Sequence, residues 1–298
     1  MNPKSAIENN KSLCIVGLGL MGASLALAVR GKYGRITAVT RRPETAVEAL
    51  QRNIVDAAST DFNAIQDADI VVLAAPVRTI IRQLKHLRLF ENMRGCVTDL
   101  GSTKTEIVQA MNALPANIRA VGSHPMCGKE VTGLDAADAT LYQNKTWVLT
   151  RTQRTDDEAY AAIKELAEHA GANTIELEAQ RHDQLVAWIS HLPYAVSAAL
   201  MSTVDAASVN DDAVYRVAAS GFRDTTRIAG SDVNMMLDIL MTNRDAVLNS
   251  VRDFQFTLDQ FTAMLERNDE AGLRVYLASS SKARGDYMRR GESEQARK

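Results

Sequence analysis

The spacing of apolar positions divides this chain near residue 178. Before that point, short apolar runs at residues 13–16, 35–40 (RITAVT), 69–76 (DIVVLAAP), 96–100 (CVTDL), 118–122, 147–150 and 174–177 alternate with segments of helical periodicity. Runs that are apolar throughout belong to strands buried on both faces, so this half is expected to be an α/β layer structure with a mostly parallel sheet. Pro43 suits the first turn of a helix, and Gly171 suits the close of the helix at 156–170. From Ala179 only the helical period remains. Residues 180–204 place Leu185, Trp188, Ile189, Leu192, Val196 and Leu200 along one helix, and Pro193 inside it must kink it and free a carbonyl one turn back, with His191 at the irregularity. Further helices are expected at 211–220, at 232–267 behind an Asp232 cap, and at 270–288, with 221–227 (GFRDTTR) a polar interruption. The expected organisation is a loose leader at 1–12, an α/β domain at 13–178, an all-α domain at 179–288 and a frayed charged tail at 289–298.

The first apolar run leads into Gly17-Leu18-Gly19-Leu20-Met21-Gly22 and then a helix of small residues, the strand, turn and helix order of a dinucleotide-binding loop. Gly17 allows the tight turn, Gly19 removes the Cβ that would keep a pyrophosphate from the backbone, and Gly22 lets the helix approach the strand. Leu20 and Met21 then open a helix whose unpaired N–H groups face the phosphates. The ribose is expected at the end of the second strand. There the sequence has Thr40, Arg41 and Arg42 in place of the carboxylate that would bind the free 2′-hydroxyl of NAD, which favours NADP while leaving NAD possible. The alternative is that both arginines only decorate a surface turn. Pro76 stops the third run at the cofactor edge.

Composition narrows the partners. With 46% apolar residues over 298 positions the chain can fill a core, and a net charge of −2 offers no basic field for nucleic acid or an anionic membrane. Small molecules and a second copy of the chain are the expected partners. Cys14, Cys96 and Cys127 are odd in number and lack CxxC spacing, which argues against a disulfide framework or a metal site and for a reducing, cytoplasmic compartment. Residues 13–29 are uncharged, but they contain three glycines and are shorter than the roughly 20 apolar residues of a membrane span, and no other stretch comes close.

Strand-end loops line the ligand crevice in such folds, which singles out several side chains. Ser102 either caps the helix after it, with Glu106 completing a capping box, or points its hydroxyl at a catalytic group. His124 is either a packed or solvated histidine, or a general base beside a nicotinamide with an ordinary pKa of about 6.5. Cys127 is read as a loop filler rather than a nucleophile. Arg223 and Arg227 beside Asp224 form either a self-neutralised turn or a carboxylate-binding site.

Taken together, GLGLMGASLA, DLGSTK at 99–104, GSHPMCGKE at 122–130, HDQLVAWISHLPYAVSAAL at 182–200 and ASGFRDTTRIAGSD at 219–232 resemble the prephenate/arogenate dehydrogenase family of tyrosine biosynthesis. The resemblance implies a Rossmann domain followed by a helical domain that dimerises, and oxidative decarboxylation of a cyclohexadienyl substrate with hydride transfer from C4. It also implies roles: His124 as the base that deprotonates the C4 hydroxyl, Ser102 as its hydrogen-bonding companion near the nicotinamide, Arg227 as the substrate carboxylate anchor, and Ser190, His191 and Tyr194 in the substrate pocket. Many prephenate-specific members read SHLPH where this chain has Tyr194, which leaves the choice between prephenate and arogenate open. Any feedback by tyrosine is expected at the active site, since no length remains for a regulatory domain after the helices. Two other readings stand beside it. A β-hydroxyacid dehydrogenase shares the glycine loop, but that family is expected to use a lysine in the helical domain, where this chain offers Ser190, His191 and Pro193. A non-catalytic NADP-sensing protein would use the same fold only to bind.

Overall fold

The computed structural model describes residues 10–296 except 91, 92, 94, 130 and 132, with side chains described as far as residue 290. Residues 1–9 of the expected leader and 297–298 of the expected tail lie outside the described residues.

The α/β region is one eight-stranded sheet. Its elements are β1 (Ser12–Val16), α1 (Leu20–Ala28), β2 (Arg35–Val39), α2 (Pro43–Gln51), β3 (Ala57–Ser59), β4 (Ile70–Leu73), α3 (Val77–Leu87), β5 (Cys96–Asp99), α4 (Thr105–Asn112), β6 (Arg119–Pro125), β7 (Thr146–Arg151), α5 (Asp157–His169) and β8 (Asn173–Glu176). The strand order is β3-β2-β1-β4-β5-β6-β7-β8, parallel except for the antiparallel β6–β7 pair. The three-residue strand β3 has no apolar run to betray it. Strand β6 runs to Pro125, further than the apolar pattern reaches, because its pairing with β7 continues through His124 opposite Val148.

Side chains alternate across the strands, which explains why the central runs are apolar at every position. Leu13 and Ile15 of β1 join one buried layer with Leu25, Ile36, Trp147 and Ile163, while Cys14 and Val16 join the other with Val71, Leu73, Ile80 and Ile107. Each fully buried aliphatic side chain contributes about 1.5–3 kcal/mol relative to exposure.

Beyond β8 the chain is helical. Residues Ala179–Ser208 form a continuous run made of α6 (Ala179–Val186), a π-helical turn (Ala187–His191) and α7 (Leu192–Ser208). The kink expected from Pro193 takes this form: Pro193 has no N–H to return to the preceding turn, and the helix absorbs the defect by widening just before it. This run is long and apolar enough to cross a membrane by length and composition, with a mean hydropathy of 1.3 in its most apolar stretch, which corrects the expectation that no stretch beyond 13–29 comes close. The helix expected at 211–220 shrinks to α8 (Ala213–Arg216), and the expected polar interruption is itself helical, as α9 (Ser220–Thr226) and a tight turn at Arg227–Gly230. The single helix expected at 232–267 is broken after α10 (Val233–Thr242), whose N-terminal N–H at Met235 donates to Asp232 (2.8 Å), and resumes as α11 (Arg244–Glu266). Helix α12 (Glu270–Ala296) continues through the segment expected to fray.

The chain forms two compact units, one extending through Val247 and one from Leu248. In the second, the rings of Phe261 and Tyr276 lie 5.6 Å apart and Gly272 N–H donates to Asp269 at the start of α12 (2.8 Å). The first unit contains every residue of the candidate site.

Candidate active site

The chain passes from β1 outward to β2 and β3, then returns to β4 on the other side of β1. That reversal opens a crevice at the carboxyl ends of the strands, where ligands of such sheets bind. At its rim Gly17 has a φ of +106°, and a Cβ there would lie 2.4 Å from the Ala74 carbonyl oxygen. A Cβ on Gly22 would lie 2.0 Å from the Gly17 oxygen, whereas one on Gly19 would meet nothing within 4 Å. The first two glycines are therefore required by packing, and Gly19 keeps open the space in front of the α1 N-terminus. No side chain caps that terminus, so the N–H groups of Leu20, Met21 and Gly22 remain for an anion. The Met21 carbonyl accepts from the Tyr142 hydroxyl (2.6 Å), which holds this turn from below. Thr40 is buried at the end of β2, its hydroxyl donating to the Arg42 carbonyl (2.9 Å), and Arg41 and Arg42 are exposed beside it. Pro76, exposed, precedes α3 at the end of β4. These residues fit a dinucleotide: an uncapped helix end for the pyrophosphate and two exposed guanidinium groups at the strand end that meets the ribose.

The opposite rim is built from side chains. His124, near the end of β6, places Nδ1 2.9 Å from His182 Nε2, and His182 Nδ1 lies 2.8 Å from Asp183 Oδ1. Asp183 Oδ1 also accepts the backbone N–H of Lys104 (2.7 Å), and Oδ2 that of Thr105 (2.8 Å). The carboxylate of α6 thus caps α4, the role expected of Ser102. No side chain next to the start of α4 does so; Thr103 instead pairs with Thr242 (2.9 Å). Burial pushes the Asp183 pKa up, but the hydrogen bonds from His182, Thr105 and Lys104 outweigh it and hold the pKa below the usual carboxylate value. A cap of this kind contributes about 1 kcal/mol.

The direction of the chain follows from what each atom can do. Asp183 is an acceptor, so the Nδ1 of His182 carries a proton and its Nε2 accepts; His124 must then donate from Nδ1, leaving its Nε2 as a lone pair. That is the form of a general base. Burial first, and then the neighbouring His182, Lys104 and His191, hold the His124 pKa well below 6.5, which corrects the ordinary value expected for it.

Beneath the base lies a buried ion pair. Lys104 binds the Asp99 carboxylate and donates to the Ser123 carbonyl (2.7 Å), while Asp99 accepts from the backbone N–H groups of Gly101 (2.8 Å) and Ser123 (2.9 Å). It ties the end of β5 to the residue before His124. Removing one partner would leave an uncompensated buried charge, a loss of about 3–5 kcal/mol.

On the helical side His191 is buried at the end of the π turn, Tyr194 is half-buried on α7 and Ser190 is exposed. Arg227 is exposed on its tight turn, which Ser197 of α7 fastens by accepting the Ala229 N–H (3.1 Å). The structure thereby brings the turn of Arg227 against the helix of Tyr194. Ser102 is half-buried at the end of β5 and makes no hydrogen bond to His124 among the described residues. Cys127 packs partly buried against the core, and burial pushes its pKa up to about 11, so it behaves as filler. Glu130 of the GSHPMCGKE stretch lies outside the described residues. Sequence reasoning missed His182, Asp183, Lys104 and Asn243. The signal for three of them was their place inside the stretches that carry the resemblance, Lys104 closing DLGSTK and His182-Asp183 opening HDQLVAWISHLP; Asn243 had none.

A family model described as prephenate dehydrogenase, nucleotide-binding domain, matches residues 23–176, and one described as prephenate dehydrogenase, dimerization domain, matches residues 178–279. The chain is 33% identical over 276 residues to the prephenate dehydrogenase of Bacillus subtilis (strain 168), covering 90% of this chain and 74% of that protein. The solved structure of prephenate dehydrogenase from A. aeolicus in complex with hydroxyphenyl propionate and NAD+ is similar with a TM-score of 0.86 at 32% identity, covering 93% of this chain and 98% of that one. The structure of Synechocystis arogenate dehydrogenase is similar with a TM-score of 0.76 at 32% identity, covering 93% and 99%.

Proposed function

Because the chain belongs to the prephenate dehydrogenase family, we propose that it catalyses NADP-dependent oxidative decarboxylation of arogenate, prephenate or both. The observation that carries the reading is the Asp183–His182–His124 chain, which leaves one unprotonated imidazole nitrogen at the crevice rim opposite an uncapped helix end.

A bound nicotinamide cofactor supplies the hydride acceptor. His124 Nε2 takes the proton of the substrate C4 hydroxyl as hydride leaves C4, and the ring becomes aromatic with loss of CO2. The imidazolium formed is stabilised through His182 by Asp183, whose charge is fixed by two backbone N–H groups. Ser102 orients the reacting hydroxyl beside His124, Arg227 binds a substrate carboxylate, and Ser190, His191 and Tyr194 complete the pocket. Gly17, Gly19, Leu20, Met21 and Gly22 hold the pyrophosphate, Pro76 borders the cofactor, and Thr40, Arg41 and Arg42 meet the ribose phosphate. The enzyme acts as a homodimer through the helical region, which exposes Trp188, Ile189, Val209 and Leu237, in a reducing, cytoplasmic setting that suits its three free cysteines.

The test is the formation of reduced cofactor from arogenate, prephenate and 3-hydroxyisobutyrate in parallel, each with NADP and with NAD. Turnover of a cyclohexadienyl substrate is expected. Turnover of 3-hydroxyisobutyrate alone would move the chain to the β-hydroxyacid dehydrogenases, and cofactor binding without any turnover would leave a sensing protein.

A further inference from the structure

We propose that Asn243 is a positioning residue that fixes His191 in the tautomer carrying its proton on Nε2, so that His191 serves the substrate pocket as a neutral hydrogen-bond donor. The proposal deepens the functional reading above and rests on it.

Asn243 is the residue at which α10 ends and before which α11 has not begun, and it is buried there. Its Nδ2 lies 2.7 Å from the Asp183 carbonyl oxygen and 3.2 Å from His191 Nδ1. A carbonyl oxygen can only accept, so the group facing it is the amide NH2, which settles how the amide is turned. One of the two N–H bonds goes to Asp183 and the other faces His191. A donor facing Nδ1 requires a lone pair on Nδ1, so the proton of the neutral imidazole sits on Nε2.

This is the reverse of His124 and His182, which both carry the proton on Nδ1 because the chain above them ends on a carboxylate. Asp183 therefore governs all three rings. Its side chain sets His182 directly and His124 through it, and its carbonyl sets the third by turning Asn243. The π turn makes this possible: the Asp183 carbonyl also accepts the Ala187 N–H that starts the turn, and His191 closes it.

Protonating His191 would place a second donor against the Asn243 N–H. The titratable groups around the ring are Asp183 and His182 of α6 and His124 of β6. Burial first, countered by Asp183 and reinforced by His182, lowers the His191 pKa to about 4. The ring stays neutral through the physiological range, and its Nε2–H binds an acceptor oxygen of the substrate without titrating.

Ring-nitrogen NMR on isotopically labelled enzyme reads the tautomer without substrate, with the His191 signal assigned by its loss in His191→Gln. The expected wild-type spectrum shows an unprotonated Nδ1 and a protonated Nε2, unchanged from about pH 8 to about pH 5.5. Asn243→Asp replaces the donor by an acceptor, which draws the proton to Nδ1 and raises the His191 pKa. KM for the cyclohexadienyl substrate should rise roughly tenfold at alkaline pH, where Nε2 is bare, and recover on acidification, where the ring holds both protons; kcat should change less. A residue with only a structural role would give no pH-dependent recovery. A wild-type His191 protonated on Nδ1, or titrating near about 6.5, overturns the proposal, as does an Asn243→Asp enzyme with an unaltered KM profile. If that variant does not fold, the wild-type spectrum decides alone. If the spectrum is as expected but no cyclohexadienyl substrate is turned over, the functional reading fails while the tautomer assignment stands.

Discussion

The two rims of the crevice are made of different material. The cofactor rim is backbone: Gly17, Gly19 and Gly22 lie within six residues, and their turn packs against Ala74 and is held by Tyr142. The base rim is built from side chains of residues 99, 104, 124, 182, 183, 191 and 243, brought together by tertiary packing. A rim of backbone N–H groups offers an anion the same donors whatever the state of the imidazoles opposite. The proton chain of the base rim fails as a unit, because Asp183 sets the proton position of His182 and His182 that of His124.

The sharpest test of that separation is His124→Asn. It should lower kcat by ~10² or more while leaving cofactor affinity unchanged, since asparagine can neither accept the proton nor disturb the glycine turn. In the wild type the depressed His124 pKa keeps the ring neutral at pH 7, so kcat should be flat across neutral pH and fall only well below about 6.5, as acid protonates the base. Cofactor titration together with a kcat profile reads both. A near-normal kcat removes His124 from the role, and a weakened cofactor Kd shows that the rims are not separable.

The complementary variant acts on the cofactor rim. Exposed Arg41 and Arg42 can pair with a 2′-phosphate through charge-assisted bonds of about 1.5–3 kcal/mol, so NADP should be preferred over NAD by roughly tenfold to a hundredfold in kcat/KM. Replacing both by Ala should erase the preference and leave the kcat profile with pH untouched. Equal kcat/KM for the two cofactors in the wild type refutes the assignment.

A smaller effect is expected at Arg227. Arg227→Ala should raise substrate KM roughly tenfold with less change in kcat, because an exposed guanidinium is partly screened and binds ground and transition states alike. Arg223→Ala is the control. If the control shows the larger KM effect, the anchor is misplaced by one helical turn.

The same contrast explains what the sequence could reveal. The glycine loop, the apolar central strands and His124 at a strand end are local patterns, readable from spacing alone. Local capping rules see only three or four residues and point to the neighbours of α4, whereas Asp183 reaches its start from 78 residues away. Asn243 was hidden inside an apparently continuous helix, since Asn at a break has no periodic signature. Pro193 announced a defect in the helix, but its form, a π turn at Ala187–His191, is not encoded in the proline alone.

Substrate choice is the finest distinction the base rim makes, and Tyr194 is where it can be tested. Prephenate carries a keto group where arogenate carries an ammonium. With the His124 and His191 pKa values both depressed, neither ring supplies a cation at neutral pH, so the charge near the side chain of the substrate depends on other residues. Tyrosine at 194 cannot become cationic. Its hydroxyl can accept from an ammonium or donate to a carboxylate, which removes a penalty against arogenate without creating a strong preference. A histidine there would bring a partial positive charge that favours the pyruvyl group and repels the ammonium. Activity on arogenate should therefore be at least equal to that on prephenate, and Tyr194→His should move the kcat/KM ratio toward prephenate by a few-fold, up to about tenfold, because the position is only half-buried. The ratio for both substrates in both enzymes at one pH measures it: a wild type inactive on arogenate, or a ratio unmoved by the substitution, would show that Tyr194 does not face the side chain that distinguishes the two.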